Sequence, residues 1–135
     1  MSKIESRVGK LSYSAQKTYN FLSDFNNFKS LIPPDRISDF ESTVDSCRFK
    51  VTGIGEAALK IIEKEPNKLV KVAGEAMGKV GFKLWIQLKE LAEDDTRIKL
   101  TVEAELNPMM SMVANKPLKN FVDMLVDQIE KIKVE

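Results

Sequence analysis

From Lys3 to Lys10 the side chains alternate in character, with Ile4, Ser6 and Val8 on one side and Lys3, Glu5 and Arg7 on the other, as in a strand with one covered face. The period then lengthens. Ser14 stands at an N-cap position, and Ala15, Thr18, Tyr19 and Leu22 follow on one helical face with Phe21 beside them. Asp24 caps a second, shorter helical piece that turns Phe25, Phe28, Leu31 and Ile32 inward before Pro33-Pro34 stops it.

From Ile37 a period of two returns and holds for about seventy residues. It predicts six strands: Ile37–Thr43, Ser46–Val51, Glu56–Glu65, Leu69–Glu75, a strand through Phe82, Leu84, Ile86 and Leu88, and a last one over Ile98–Leu106. The connections carry turn chemistry. Val44-Asp45, the pair Gly53 and Gly55, Glu65-Pro66-Asn67-Lys68 and Glu93-Asp94-Asp95-Thr96 reverse the chain, and Gly74, Gly78 and Gly81 are read as a flexible connection ahead of Phe82.

The chain closes on an amphipathic helix. From Pro117 to Lys133, Leu118, Phe121, Val122, Leu125, Ile129 and Ile132 recur at helical spacing, and Pro117 suits a first turn, where its missing N–H has no partner to lose. Asn107 to Val113 is expected as a separate helical segment, joined by a kink at Asn115-Lys116-Pro117. Strand, two short helices, six strands and a long helix make an α+β domain spanning residues 1–135, with a curved antiparallel seven-stranded sheet wrapped around the terminal helix. The apolar strand residues Phe49, Leu59, Phe82, Leu84, Leu100 and Val102 are expected to face that helix, with Phe121 in its packed core. Met109, Met112 and Val113 are expected at the mouth of any space left between them, methionine being adaptable to varied shapes.

Charge and composition narrow the chemistry. Lysine and arginine number 21 against 20 acidic residues, a net charge of +1, and no basic stripe interleaved with aromatics argues for nucleic acid. No apolar run approaches the roughly 18 residues that span a bilayer, so no integral membrane segment is expected and the cytoplasm is the default compartment. The chain has no histidine. Ser-His-Asp and Cys-His activation are thereby excluded, zinc loses its usual nitrogen ligand, and no calcium-loop pattern is present, so neither a metal nor a cofactor is expected. Cys47, the lone cysteine, reads as an inert buried thiol, the pairs Glu63/Glu65 and Glu103/Glu105 as solvated strand faces, and Trp85 as an outer-face residue out of phase with the apolar set.

The element order, the opening Ser12-Tyr13-Ser14-Ala15-Gln16-Lys17-Thr18-Tyr19-Asn20-Phe21-Leu22-Ser23-Asp24, the Leu31-Ile32-Pro33 that follows and the turn Glu63-Lys64-Glu65-Pro66-Asn67-Lys68-Leu69 resemble the SRPBCC superfamily, which includes START lipid-transfer domains, pollen-allergen proteins and polyketide cyclases. Within it the chain is most similar to small bacterial members related to an accessory protein of carbon monoxide dehydrogenase. The resemblance implies a helix-grip fold with a hydrophobic cavity between sheet and terminal helix, and no catalytic motif of the cyclases maps onto this chain. The function expected is binding or carriage of an apolar small molecule or lipid. Two alternatives stand beside it: a cyclase- or dehydratase-like enzyme using acidic residues, Tyr13 or Tyr19 for proton transfer, and an accessory domain that presents its surface to a protein partner.

Overall fold

The computed structural model describes residues 2–32, 35–52, 55–76 and 80–132. Its elements are β1 (Ser2–Glu5), β2 (Gly9–Leu11), α1 (Ala15–Leu22), a 3-10 helix (Phe25–Leu31), β3 (Ile37–Ser42), β4 (Ser46–Val51), β5 (Gly55–Glu65), β6 (Leu69–Ala76), β7 (Val80–Ala92), β8 (Asp95–Ala104) and α2 (Pro108–Lys131). The strands form one antiparallel sheet in the order β1-β8-β7-β6-β5-β4-β3, with β2 also paired to β8. This is the helix-grip arrangement expected: a curved sheet, two short helices at one end and a long C-terminal helix.

Register turns the alternation of the sequence into a single apolar surface, because side chains opposite one another on paired strands share a face. Cys47 stands opposite Leu59, and Phe49 opposite Ala57. Ile61 faces Val72, which faces Leu84, which faces Val102, which faces Ile4. Together with Ile86, Leu88, Ile98 and Leu100, these residues form the main core with α1, the 3-10 helix and the buried stripe Val122, Leu125, Val126 and Ile129 of α2. The opposite, convex face carries Lys71, Trp85, Thr101 and Glu5 in one row, with the Lys71 ammonium 5.4 Å from the Trp85 ring centroid. Trp85 is on the outer face as its phase predicts.

Both predicted helix starts are capped as expected. Ser14 Oγ accepts from Lys17 N at 3.2 Å, and Asp24 Oδ1 accepts from Asn26 N at 2.9 Å. The turn after β5 closes with Lys68 N donating to Glu65 O at 3.0 Å, and Asn67 takes the left-handed conformation (φ 66°) that asparagine tolerates. The predicted stop at Pro33-Pro34, the turn residues Gly53 and Gly78, and the helix end at Lys133 lie outside the described residues.

Five expectations are corrected. The first strand is two strands: at Ser6 the hydroxyl accepts from Leu100 N at 2.9 Å, and the chain bulges away until Gly9 rejoins β8. Alternation of side-chain character cannot reveal this, because the break keeps Ser6 inward and Arg7 outward. Gly74 and Gly81 lie inside β6 and β7 rather than in a connection. Gly74 stands opposite Phe82, and a methyl group there would come within 2.6 Å of both Phe82 Cζ and Ala58 O, so glycine makes room for the ring. The terminal helix is continuous over 24 residues, with Asn107 as N-cap, Pro108 in the first turn and Pro117 inside it. Leu106 falls beyond the end of β8, in the segment leading to that cap.

The fifth correction concerns Phe121, which is only half-buried, whereas Val126, absent from the predicted stripe, is fully enclosed. Val126 lies against the point where β2 returns to the sheet: a methyl group on Gly9 would stand 2.5 Å from Val126 Cγ1 and 2.9 Å from Ile98 Cγ2. A large-to-small change deep in this stripe removes contacts that the surroundings cannot restore. Ile129→Ala is therefore expected to lower stability by about 2–5 kcal/mol, and Phe121→Ala by clearly less, in chemical denaturation of the two variants side by side. Equal losses would place Phe121 in the packed core after all.

Polar groups complete the seat of α2. Where β1 breaks from β2, Arg7 N donates to Asp123 Oδ1 and Lys10 N to Glu130 Oε2, each at 2.8 Å, and the Arg7 guanidinium reaches Asp127 and Glu130. The hydrogen bond from Arg7, followed by that from the Lys10 backbone, holds the Glu130 carboxyl below the usual glutamate range. The folded protein thus binds fewer protons than the unfolded chain in the acidic window. Stability from Glu130 is present above its unfolded pKa, about 4.3, and is lost as pH falls through its lower folded value. Melting temperatures recorded from pH 7 down to pH 3 should fall at the acid end (pH values near the carboxylate range), and Glu130→Gln should flatten part of that fall.

Candidate functional site

The concave side of the sheet is the surface on which the elements converge. α2 approaches β1, β2 and β8 most closely, the 3-10 helix lies against β3 and β4, and α1 lies against β6 and β7. The stretch of concave surface on β5–β8 nearest the start of α2 carries several small residues. Ala57 stands opposite Ala76, which stands opposite Val80, and Gly74 and Ala104 flank Phe82. Small side chains on a curved sheet leave width that larger ones would fill.

Two apolar clusters meet here. The main core is joined by a smaller one of Val80, Ala104 and Leu106, and Phe82 from β7 and Leu118 from α2 pack against both. Phe82, Leu118 and Phe121 remain half-buried, as do Phe40 and Val51 on the far side of the sheet. Phe40 stacks on Phe49 with ring centroids 5.8 Å apart and planes 19° from parallel.

Of the predicted lining, Phe49, Leu59, Leu84, Leu100 and Val102 are buried on the concave face, Phe82 is half-buried at the junction, and Phe121 is half-buried against the main core. The structure brings these together. Met109, Met112 and Val113 do not join them, being 77%, 85% and 75% exposed on the outward side of α2. The reason is phase: the stripe Leu118, Val122, Leu125 and Ile129 continues backwards through Ala114 and Ser111, and it is these two that turn inward in the first half of the helix. Carrying that spacing back across Pro117 would have identified Ala114 and the Ser111 contact. Nothing in the local sequence flags Ala57, Ala76 and Ala104, whose role depends on register.

Glu90, opposite Thr96 at the end of β7, accepts from Ala15 N at 3.0 Å, and the acid–base candidates of the sequence stand elsewhere. Tyr13 donates its hydroxyl proton to Ile132 O at 3.0 Å, tying the end of α2 to the segment before α1, and its own carbonyl accepts from Thr96 Oγ1. Cys47 is buried, and burial pushes its thiol up to about 12. Glu63 and Glu65, together with Glu105, are exposed, and Glu103 is half-buried opposite Lys3 and Lys83. A cleft of about 300 Å³ lies beside β3–β5 and is lined by Asp39, Glu41, Arg48, Phe49, Lys50 and Glu56; its charges pair at 3.5 Å (Lys50–Asp39) and 3.6 Å (Arg48–Glu41). These are exposed pairs of the kind that contribute little energy. Among the described residues no three of His, Cys, Asp and Glu are grouped to hold a metal ion, and no helix is long and apolar enough to cross a membrane.

The geometry is that of a helix-grip protein with an apolar concave face. No family model matches the chain, and a search of curated proteins finds no relative. Solved structures do share the fold. A point mutant of norcoclaurine synthase from Thalictrum flavum, in complex with a transition-state analogue, superposes with a TM-score of 0.77 at 18% identity over 96% of this chain and 92% of that one. The same synthase in complex with dopamine and hydroxybenzaldehyde gives a TM-score of 0.72 at 17% identity, covering 99% and 89%. CalU16 from Micromonospora echinospora gives a TM-score of 0.62 at 16% identity, covering 91% and 69%. At such identities the likeness is one of fold alone: these structures share the helix-grip arrangement, and they do not single out the group related to the carbon monoxide dehydrogenase accessory protein.

Cys47 offers a direct check on how closed this interior is. A thiol that is 3% exposed and titrates near 12 should resist iodoacetamide in the native protein at pH 8 (where an ordinary thiol with pKa about 8.5 reacts readily) and react on unfolding. Rapid alkylation of native protein, read by mass, would show that reagent reaches the inner face of β4.

Proposed function

We propose that the protein binds or carries a neutral apolar small molecule or lipid on its concave face, between β4–β8 and α2. The observation that carries this reading is the junction at Phe82 and Leu118, half-buried apolar side chains of sheet and helix that pack against both clusters beside small residues, with half-buried Phe121 packed on the main core. Phe49, Leu59, Leu84, Leu100 and Val102 are the proposed inner lining. The narrower likeness to the carbon monoxide dehydrogenase accessory group rests on the sequence motifs, and the cytoplasm remains the compartment expected of it.

A second reading, a cyclase- or dehydratase-like enzyme, draws on the fold shared with norcoclaurine synthase, whose complexes hold small aromatic molecules. Proton transfer needs a titratable group within reach of the substrate. On β4–β8 the described titratable groups in the inward register are the buried Cys47 thiol, Lys64 opposite Val70 and Glu90 opposite Thr96. Lys64 is paired with Asp45, Glu90 accepts from Ala15 N at 3.0 Å, and the rest are apolar or hydroxyl-bearing, so holding a molecule is favoured over transforming it.

The test is a thermal-shift series with a fatty acid, a quinone and an aromatic polyketide analogue, together with native mass spectrometry before and after organic extraction. A ligand of the folded state alone should stabilise by about 2.7 kcal/mol at a hundredfold excess over Kd. Leu118→Glu, which sets a charge among apolar groups, should weaken binding at least about tenfold, whereas Met112→Glu on the outward face should leave it unchanged. No shift with any of the three classes, and no extractable mass, would overturn the reading.

A further inference from the structure

α2 is two helices in its energetics although one in its geometry. All four of its buried side chains, Val122, Leu125, Val126 and Ile129, lie beyond Pro117, and none of Pro108–Lys116 is buried. The polar ties divide in the same way. Asp123, Asp127 and Glu130 hold the second half to Arg7 and Lys10, Tyr13 holds Ile132 O, and Lys119 Nζ donates to Glu5 O at 2.8 Å. Across the first half, a single side-chain hydrogen bond reaches the sheet among the described residues: Ser2 Oγ with Ser111 Oγ.

Pro117 marks the division. A proline inside a helix cannot donate to the carbonyl four residues earlier, here Val113, and its ring crowds that carbonyl, so bending is easiest at this point. Immediately before it, Met109, Met112 and Val113 leave large apolar surfaces in water, which tertiary packing of this half does not offset. What this half covers is the smaller cluster of Val80, Ala104 and Leu106, at the small-residue end of the concave face.

We propose that Pro108–Lys116 is a lid, hinged at Pro117 and latched by Ser2 and Ser111, whose opening admits ligand past Phe82 and Leu118. This rests on the container reading. Exposed methionines on a lid of this kind can turn against an apolar ligand or against the rim as the segment moves, which a rigidly seated helix would not permit.

Amide hydrogen exchange on the native protein should show residues 112–116 exchanging at least about a hundredfold faster than 122–129, as local opening of a weakly packed segment requires. Pro117→Ala restores the donor to Val113 and should slow both that exchange and the association of N-phenyl-1-naphthylamine, measured by stopped-flow fluorescence, by about tenfold or more. A second variant pair, Ser2→Cys with Ser111→Cys in a Cys47→Ala background, should bind the probe slowly when oxidised and at the parent rate when reduced. Uniform protection along α2, or association rates that neither Pro117→Ala nor oxidation changes while binding persists, would overturn the lid. Absence of probe binding in every form, with the exchange contrast intact, would overturn the container reading instead and leave the lid with no ligand to admit.

Discussion

Two carboxylates of α2, Asp123 and Glu130, accept hydrogen bonds from the backbone of a sheet edge that has lost its own regularity, and the seat of the helix follows from that exchange. Backbone N–H groups at a break between strands need partners. Drawing them from a helix side chain fixes the depth and rotation of that helix at once. Arg7 then closes the arrangement by neutralising Asp127 and Glu130, and Gly9 lets the backbone come close enough for Val126 to be wholly enclosed. The stripe that faces the sheet is selected by these contacts together with hydrophobic burial.

With the C-terminal half so placed against β1, β2 and β8, the apolar faces of β3–β7 are covered by other means: the 3-10 helix over β3 and β4 and α1 over β6 and β7, with Leu118 and Phe121 of α2 packed on the core they share. The division of labour is physical. One edge of the sheet is packed tightly for stability, and the other side carries the small residues Ala57 and Ala76, where function is proposed. Packing at interior density at both places would leave nothing to bind.

The strands were legible because only an extended chain with one covered face alternates in character over ten residues, and Phe49, Leu59, Leu84, Leu100 and Val102 all fall on the inner face as their phase requires. Both short-helix caps were legible for a similar reason, since Ser14 and Asp24 precede apolar runs. The break after Glu5 was not legible, because it depends on which backbone group Ser6 bonds, a tertiary matter. Met109 and Met112 misled because adaptability to a pocket does not say which helical face a side chain occupies, whereas the longer stripe continues through Ala114 and Ser111 with less hydrophobic residues. Val126 was passed over because its burial comes from Gly9 on a distant strand. In each case the error arose where long-range contacts decide between two locally acceptable phases.

The free edge of the sheet shows one more consequence of local geometry. On β3 the register with β4 slips between Ser38 and Glu41, and Asp39 adopts φ 54° there, with its carboxylate close to Lys50. An outermost strand offers unpaired N–H and C=O groups to any passing chain, and the hazard is greater when apolar residues such as Phe40 stand beside it. A bulge with a left-handed aspartate spoils the straight ladder that a newcomer would need, and the charge resists being stripped of water. This irregularity keeps the rim beside Phe40 uninviting to fibril growth.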